Sequence, residues 1–254
     1  MLNCKVPEKE QVLRYYHELV CDDTKADTDF RALHYLLRNV SQLSLKKSLF
    51  VLSDIFPSED FQVPSSQIKV LDATESLWAT DKAVHWFCRL PNLEELYLSG
   101  TAVTINGVLT ILKELPRLKV LDLDSTVVGG ETFTVLKMHG KYLKELYMGE
   151  TAIKDIDLED LEEDTFPCLQ SLCLARTRVT EIGVQDVLDA LPSLKSVTVT
   201  QSCVLPGWIE ELHPISRAKV KYNDEKSVEH CNHFLENKYN GIFKNDHYVN
   251  SYDH

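Results

Sequence analysis

LEELYLSGTAVTINGVLTILKELPR (93–117) is followed by LKVLDLDSTVVGGETFTVLKMHGKY (118–142), LKELYMGETAIKDIDLEDLEEDTFPC (143–168), LQSLCLARTRVTEIGVQDVLDALPS (169–193) and LKSVTVTQSCVLPGWIEELHPI (194–215). The stretches begin at Leu93, Leu118, Leu143, Leu169 and Leu194, at spacings of 25, 25, 26 and 25 residues. A fixed period of this size marks a solenoid of stacked repeats. Within each unit Leu96 and Leu98, or their counterparts Leu121 and Leu123, alternate as on a strand, so both face inward and the residue between them faces out. One such unit cannot bury its apolar face alone, and stacking the units aligns their strands in a parallel sheet.

The second half of each unit changes period. Val103, Val108, Ile111, Leu112 and Leu115 follow helical spacing, as do Val179, Ile182, Val187, Leu188 and Leu191. Gly107 and Gly183 stand at the turn into these helices, and Pro116, Pro167 and Pro192 precede the next strand, where a helix must end. The ninth position is Thr101, Thr126, Thr151, Thr177 and then Ser202. A small hydroxyl there is expected to bond the turning backbone, because an unpaired buried group costs roughly 1–3 kcal/mol.

The pattern L-x-x-L-x-L-x-x-[TS] resembles the leucine-rich repeat. The unit length and the helix resemble its ribonuclease-inhibitor-like and cysteine-containing subclasses, with Thr in place of Cys or Asn at the ninth position. The resemblance implies an α/β fold: a right-handed arc with a parallel concave sheet, convex helices and helical caps at both ends. The cysteine-containing subclass is common in F-box substrate receptors, so the resemblance also raises the role of substrate-recognition subunit in a ubiquitin ligase.

Two weaker units precede the clear ones, at Ile68, Leu71, Ala73 and Ser76, and at Val40, Leu43, Leu45 and Ser48. Ala218, Val220 and Tyr222 read as a last edge strand. The expected organisation is a helical N-terminal cap (1–39), a solenoid (40–222, with clear repeats over 68–215), and a C-terminal helix and tail (223–254). In the first cap a helix is expected from Pro7 to Val20. Its Val6-Pro7, Val12, Leu13, Tyr16 and Leu19 resemble the L-P-x-E opening of an F-box, with the spacing off by one and the usual Trp missing. Beyond Asp224, the residues Val228, Cys231, Phe234, Leu235 and Tyr239 share a helical face. The tail IFKNDHYVNSYDH (242–254) reads either as a segment docked along the solenoid or as a short linear motif.

The formal net charge of −12 argues against nucleic acid and anionic membrane surfaces as partners. No apolar run reaches membrane-spanning length, and MLNCKVPEKEQ has no signal-peptide character. Seven scattered cysteines with no C-x-x-C pair fit a reducing compartment, cytoplasmic or nuclear. Glu229, His230, Cys231 and His233 crowd together but lack the second ligand pair of a zinc site. The acidic run from Asp155 to Asp164 lacks the Gly and Glu of a calcium loop, and reads as a solvated face with Ile156, Leu158 and Leu161 turned inward. No nucleophile elbow, P-loop or dinucleotide fingerprint occurs. The expectation is a non-catalytic protein with no cofactor and no metal, monomeric on its own.

What remains is the concave face, and the period assigns it column by column. The central column holds Ser44, Asp72, Tyr97, Asp122, Tyr147, Cys173 and Thr198. Strands about 4.8 Å apart make Tyr97, Asp122 and Tyr147 one ladder, with Glu95, Asp124, Glu145 and Glu150 around it. Exposed tyrosines in an acidic rim are expected to form a binding site for a protein with a basic surface. The candidate site is therefore Asp72, Glu95, Tyr97, Asp122, Asp124, Glu145, Tyr147 and Glu150.

Overall fold

The computed structural model describes residues 18–20 (backbone only), 40–49, 67–205, 207–209 and 218–222. Among these, nine three-residue strands form one sheet in chain order: β1 (Glu18–Val20), β2 (Gln42–Ser44), β3 (Val70–Asp72), β4 (Glu95–Tyr97), β5 (Val120–Asp122), β6 (Glu145–Tyr147), β7 (Ser171–Cys173), β8 (Ser196–Thr198) and β9 (Lys219–Lys221). Every neighbouring pair is parallel, and the register is constant: Leu71, Leu96, Leu121, Leu146, Leu172, Val197 and Val220 stand side by side. The helices are α1 (Asp81–Phe87), α2 (Ile105–Glu114), α3 (Gly130–His139), α4 (Asp155–Leu158) and α5 (Glu181–Ala190), each contacting the next.

The core lies between the two layers. Leu96, Leu98, Leu121, Leu123, Leu146, Met148 and Leu174 are fully buried with Val108 and Ile111 of α2 and Val184 and Val187 of α5. Burying one such side chain is worth roughly 1.5–3 kcal/mol. The coil holding α4 has a single helical turn, and Phe166 fills the space, its ring 5.9 Å from that of Phe133.

Both weak units are true coils, contributing β2 and β3, and β9 is the expected edge strand. The ninth-position hydroxyls are satisfied as expected: Thr101, Thr126, Thr151 and Thr177 donate to the carbonyls of Leu98, Leu123, Met148 and Leu174 at 2.5–2.7 Å. Ser76 instead reaches back one coil, to the Leu45 carbonyl at 2.6 Å. Three expectations are corrected. Glu18–Val20 is a strand paired with β2, not the end of a helix, so the sheet begins before residue 40. Ile182 and Ile156 point outward, 68% and 65% exposed, because the helices present Gly183 and Leu158 to the core instead. The remaining cap residues, the adaptor-like stretch at 6–17, the C-terminal helix and the His230 cluster lie outside the described residues.

Seven coils share a backbone feature. Lys47, Glu75, Gly100, Ser125, Glu150, Arg176 and Gln201 all have φ between 52° and 65°, the left-handed region. This residue turns the chain out of the strand just before the ninth-position hydroxyl. Only Gly100 adopts it without steric cost; in the other coils it costs about 1 kcal/mol or more. The cost is offset by the ladder. The N–H groups of Glu75, Gly100, Ser125, Glu150 and Arg176 each donate to a carbonyl of the next coil at 2.7–2.9 Å.

A second device joins the helices. Asp81, at the start of α1, accepts the N–H and the hydroxyl of Thr104, the N-cap of α2, at 2.8 and 2.5 Å. Asp155 treats Thr180, the N-cap of α5, in the same way at 2.8 and 2.6 Å. The acidic run is thus only partly solvated, since its first carboxylate clasps the next coil. Gly107 and Gly183 are not turn residues but lie in the first helical turn, where they leave space for these carboxylates. A Cβ on Gly107 would lie 2.4 Å from Asp81 Oδ1, and one on Gly183 2.5 Å from Asp155 Oδ1.

Two substitutions test this architecture. Leu121→Ala should lower the unfolding free energy by about 2–5 kcal/mol in chemical denaturation, and an unchanged midpoint would contradict the register. Helix propensity alone would make Gly107→Ala stabilising by about 1 kcal/mol. The clash with Asp81 should instead make it destabilising, and Asp81→Ala in the same chain should relieve part of the loss.

Candidate functional site: the concave face

Alternation puts Glu95, Tyr97 and Ser99 on the outer face of β4, and Glu145, Tyr147 and Gly149 on that of β6. A side chain on a strand leans along the strand, and each Tyr leans towards the Glu two residues earlier. Tyr97 Oη donates to Glu95 Oε2 and Tyr147 Oη to Glu145 Oε2, both at 2.8 Å. The folded-back rings join Val120, Cys173 and Ala175, with Val70 at the edge, in an apolar cluster separate from the main core. The tyrosines are therefore not exposed anchors: Tyr97 is 1% and Tyr147 7% exposed. Burial and the Glu145 carboxylate hold the Tyr147 phenol far above its ordinary pKa.

The carboxylates divide by environment. Asp72 and Asp122 are buried and accept the N–H groups of Thr74 and Asp124 at 3.0 and 2.9 Å, and Lys46 lies 3.2 Å from Asp72. Glu95, Asp124 and Glu145 are half-buried, and Glu150 is exposed. Glu150 accepts from Ser125 at 2.8 Å and pairs with Arg176, which donates on to Gln201 at 2.6 Å. Along the left-handed column, then, side chains link coil to coil. This rim was not foreseen from the sequence, although Glu150 and Arg176 lie one repeat apart. At the other end of the strands Glu94 sits between Lys69 and Lys119; the hydrogen bond from Lys119 leads in holding its carboxyl below the usual range.

Asp124 has the opposite shift. Burial pushes its carboxyl up to about 7 and the nearby Glu150 adds to this, against the hydrogen bond that Gly149 N–H donates to Oδ1 at 2.5 Å.

Of the eight expected site residues, the sheet brings all onto one face or its rim, the tyrosines and Asp72 and Asp122 at its floor and the other carboxylates nearer solvent. Among the described residues, no group of three or more His, Cys, Asp or Glu side chains is arranged to hold a metal ion. No described helix is long and apolar enough to cross a membrane.

In comparison with solved structures, the fold is similar to that of internalin C2 from Listeria monocytogenes, with a TM-score of 0.54 and 19% identity, covering 82% of this chain and 80% of that one. The chain is a leucine-rich-repeat solenoid. No family model matches the solenoid. Over 136 residues it is 27% identical to human tubulin-specific chaperone E, a match covering 52% of this chain and 25% of that protein, so the solenoid spans about a quarter of that relative's length.

The raised Asp124 carboxyl sets a pH dependence. An unfolded chain releases this proton near pH 4, while the folded solenoid keeps it up to about pH 7. Between those values the folded state binds the extra proton, so stability falls as pH rises through them and levels off above. Asp124→Asn keeps an acceptor for Gly149 N–H. The variant should lose this slope in denaturation midpoints measured from pH 4 to pH 8, and an identical slope in variant and wild type would refute the assignment.

Proposed function

We propose that this protein is a non-catalytic binding module that receives a protein with a basic surface along its concave face. The observation that carries this is the pair of half-buried carboxylates, Glu95 and Glu145, set on a rigid parallel sheet. Partly desolvated charges act more strongly on a partner than fully hydrated ones, and fixed strands hold them without a further ordering cost. Glu95 and Glu145 are oriented by the Tyr97 and Tyr147 hydroxyls, so each points in one direction before any partner arrives. Buried Tyr97 and Tyr147 then act as supports for these carboxylates rather than as contact residues.

The likeness to internalin C2 and to tubulin-specific chaperone E supports the reading as a protein-interaction module. The chaperone's name also makes tubulin a defined first probe. The protein's proposed place is the cytoplasm, where its scattered cysteines stay reduced.

The test captures partners on the immobilised full chain, from cell extract and from purified tubulin. Glu95→Gln with Glu145→Gln retains acceptors for both tyrosines while removing two charges. Capture of the partner should weaken about tenfold and become less sensitive to salt. Equal capture by variant and wild type at every ionic strength would sink the concave-face reading.

A further inference from the structure

The residue just before each strand forms a column of its own, at the opposite end of the strands from the left-handed column. From β3 to β9 it reads Lys69, Glu94, Lys119, Lys144, Gln170, Lys195 and Lys219. Backbone hydrogen bonds of 2.7–2.8 Å join each of these residues to the next, so the column is one continuous ladder. It holds five lysines and one carboxylate, in a chain where Asp and Glu outnumber Lys and Arg by 39 to 27. The sign of the charge is therefore reversed along this edge. Lys69, Lys144, Lys195 and Lys219 are exposed and Lys119 is half-exposed, with Arg117 and Lys141 exposed in the turns that lead into the column. We propose that this row is a second interaction surface, which takes an acidic, extended segment of a partner protein.

The fold gives these lysines little to do. Glu94 is already shared by Lys69 and Lys119. Among the described residues Lys195 meets only the neutral Gln170, at 2.9 Å, and Lys144 and Lys219 make no ion pair. Cations could instead offset the negative C-terminal ends of the helices. The helices that lead into Lys119 and Lys144 already carry Lys113 and Lys137 in their last turns. Lys119 stands beside Lys144, and Lys195 beside Lys219, in bonded register. Like charges on neighbouring strands are destabilising. An acidic ligand would turn that repulsion into attraction.

Size and charge select the ligand. Six strand spacings separate Lys69 from Lys219, about 29 Å, which an extended segment of about nine residues spans. With a net charge of −12, the protein repels any polyanion that runs on past the row. A short acidic peptide is held by the row alone, which favours a polypeptide over nucleic acid. The surface does not depend on the concave-face reading.

The test measures fluorescence anisotropy of a labelled deca-glutamate peptide titrated with the full chain at low ionic strength. Lys144→Gln with Lys195→Gln should weaken binding about tenfold and leave the thermal midpoint unchanged, since both side chains are exposed. Lys82→Gln with Arg178→Gln removes the same charge from exposed sites elsewhere and should weaken it less than about twofold. No binding of the peptide, or equal losses in the two variants, would overturn the proposal. Binding of a ten-nucleotide oligothymidylate as tight as that of the peptide would also overturn it, in favour of nucleic acid. Glu95→Gln with Glu145→Gln should leave peptide binding within about twofold, and an effect as large as that of the lysine variant would count against the row. The lysine variants retain both concave carboxylates, so failure here leaves the concave-face reading standing.

Discussion

The structure depends on the side-by-side contact of Leu96, Leu121, Leu146, Leu172 and their counterparts. A coil of some 25 residues has one strand of three residues and at most three helical turns, and neither element holds its shape alone. Each leucine is shielded only because the next coil places its own beside it in identical register. The fold is therefore a chain of nearest-neighbour interfaces, in which stability accumulates coil by coil. The other devices refine that contact. The ninth-position hydroxyls close each turn, and the clasps from Asp81 to Thr104 and from Asp155 to Thr180 lock adjacent helices at their N-termini.

This dependence explains what the sequence could and could not reveal. Inward positions were legible because stacking demands the same residue class at the same place in every coil. Even the weak coils at Leu43 and Leu71 could be placed by it. The left-handed column was hidden, since only one of its seven residues is Gly and the conformation is imposed by the ladder rather than by local preference. The role of Gly107 was hidden for a different reason. The carboxylate it accommodates belongs to Asp81, 26 positions away and on another coil. Ile182 was misplaced because spacing gives the period of a short helix but leaves its phase open by one residue, and Ile156 because residues two apart on a helix, here 156 and 158, cannot share one face.

On the concave face, column assignment gave the neighbours but not the depth. Glu-x-Tyr occurs at 95–97 and again at 145–147, and on a strand such residues share a face. That signal was present, and it predicts the folded-back ring. Once each Tyr lies along its strand, it closes over Val120 and Cys173 instead of standing up towards solvent. The same geometry turns a patch of assorted acids into two classes. Those at the floor, Asp72 and Asp122, are consumed in holding backbone N–H groups, and Glu95 and Glu145 lie nearer solvent.

The net charge of −12 is thus a poor guide to recognition. Glu94 is neutralised between Lys69 and Lys119, Glu150 by Arg176, and Asp72 by Lys46. Such pairs near a surface add little stability, yet each removes a carboxylate from the field a partner would feel. In the proposed reading, selectivity rests on Glu95 and Glu145, whose direction the tyrosine hydroxyls help to fix. A close-packed stack of identical registers has few alternative arrangements, because sliding one strand by one residue would turn its leucines outward. A solenoid of this kind has little scope to regulate binding by changing shape.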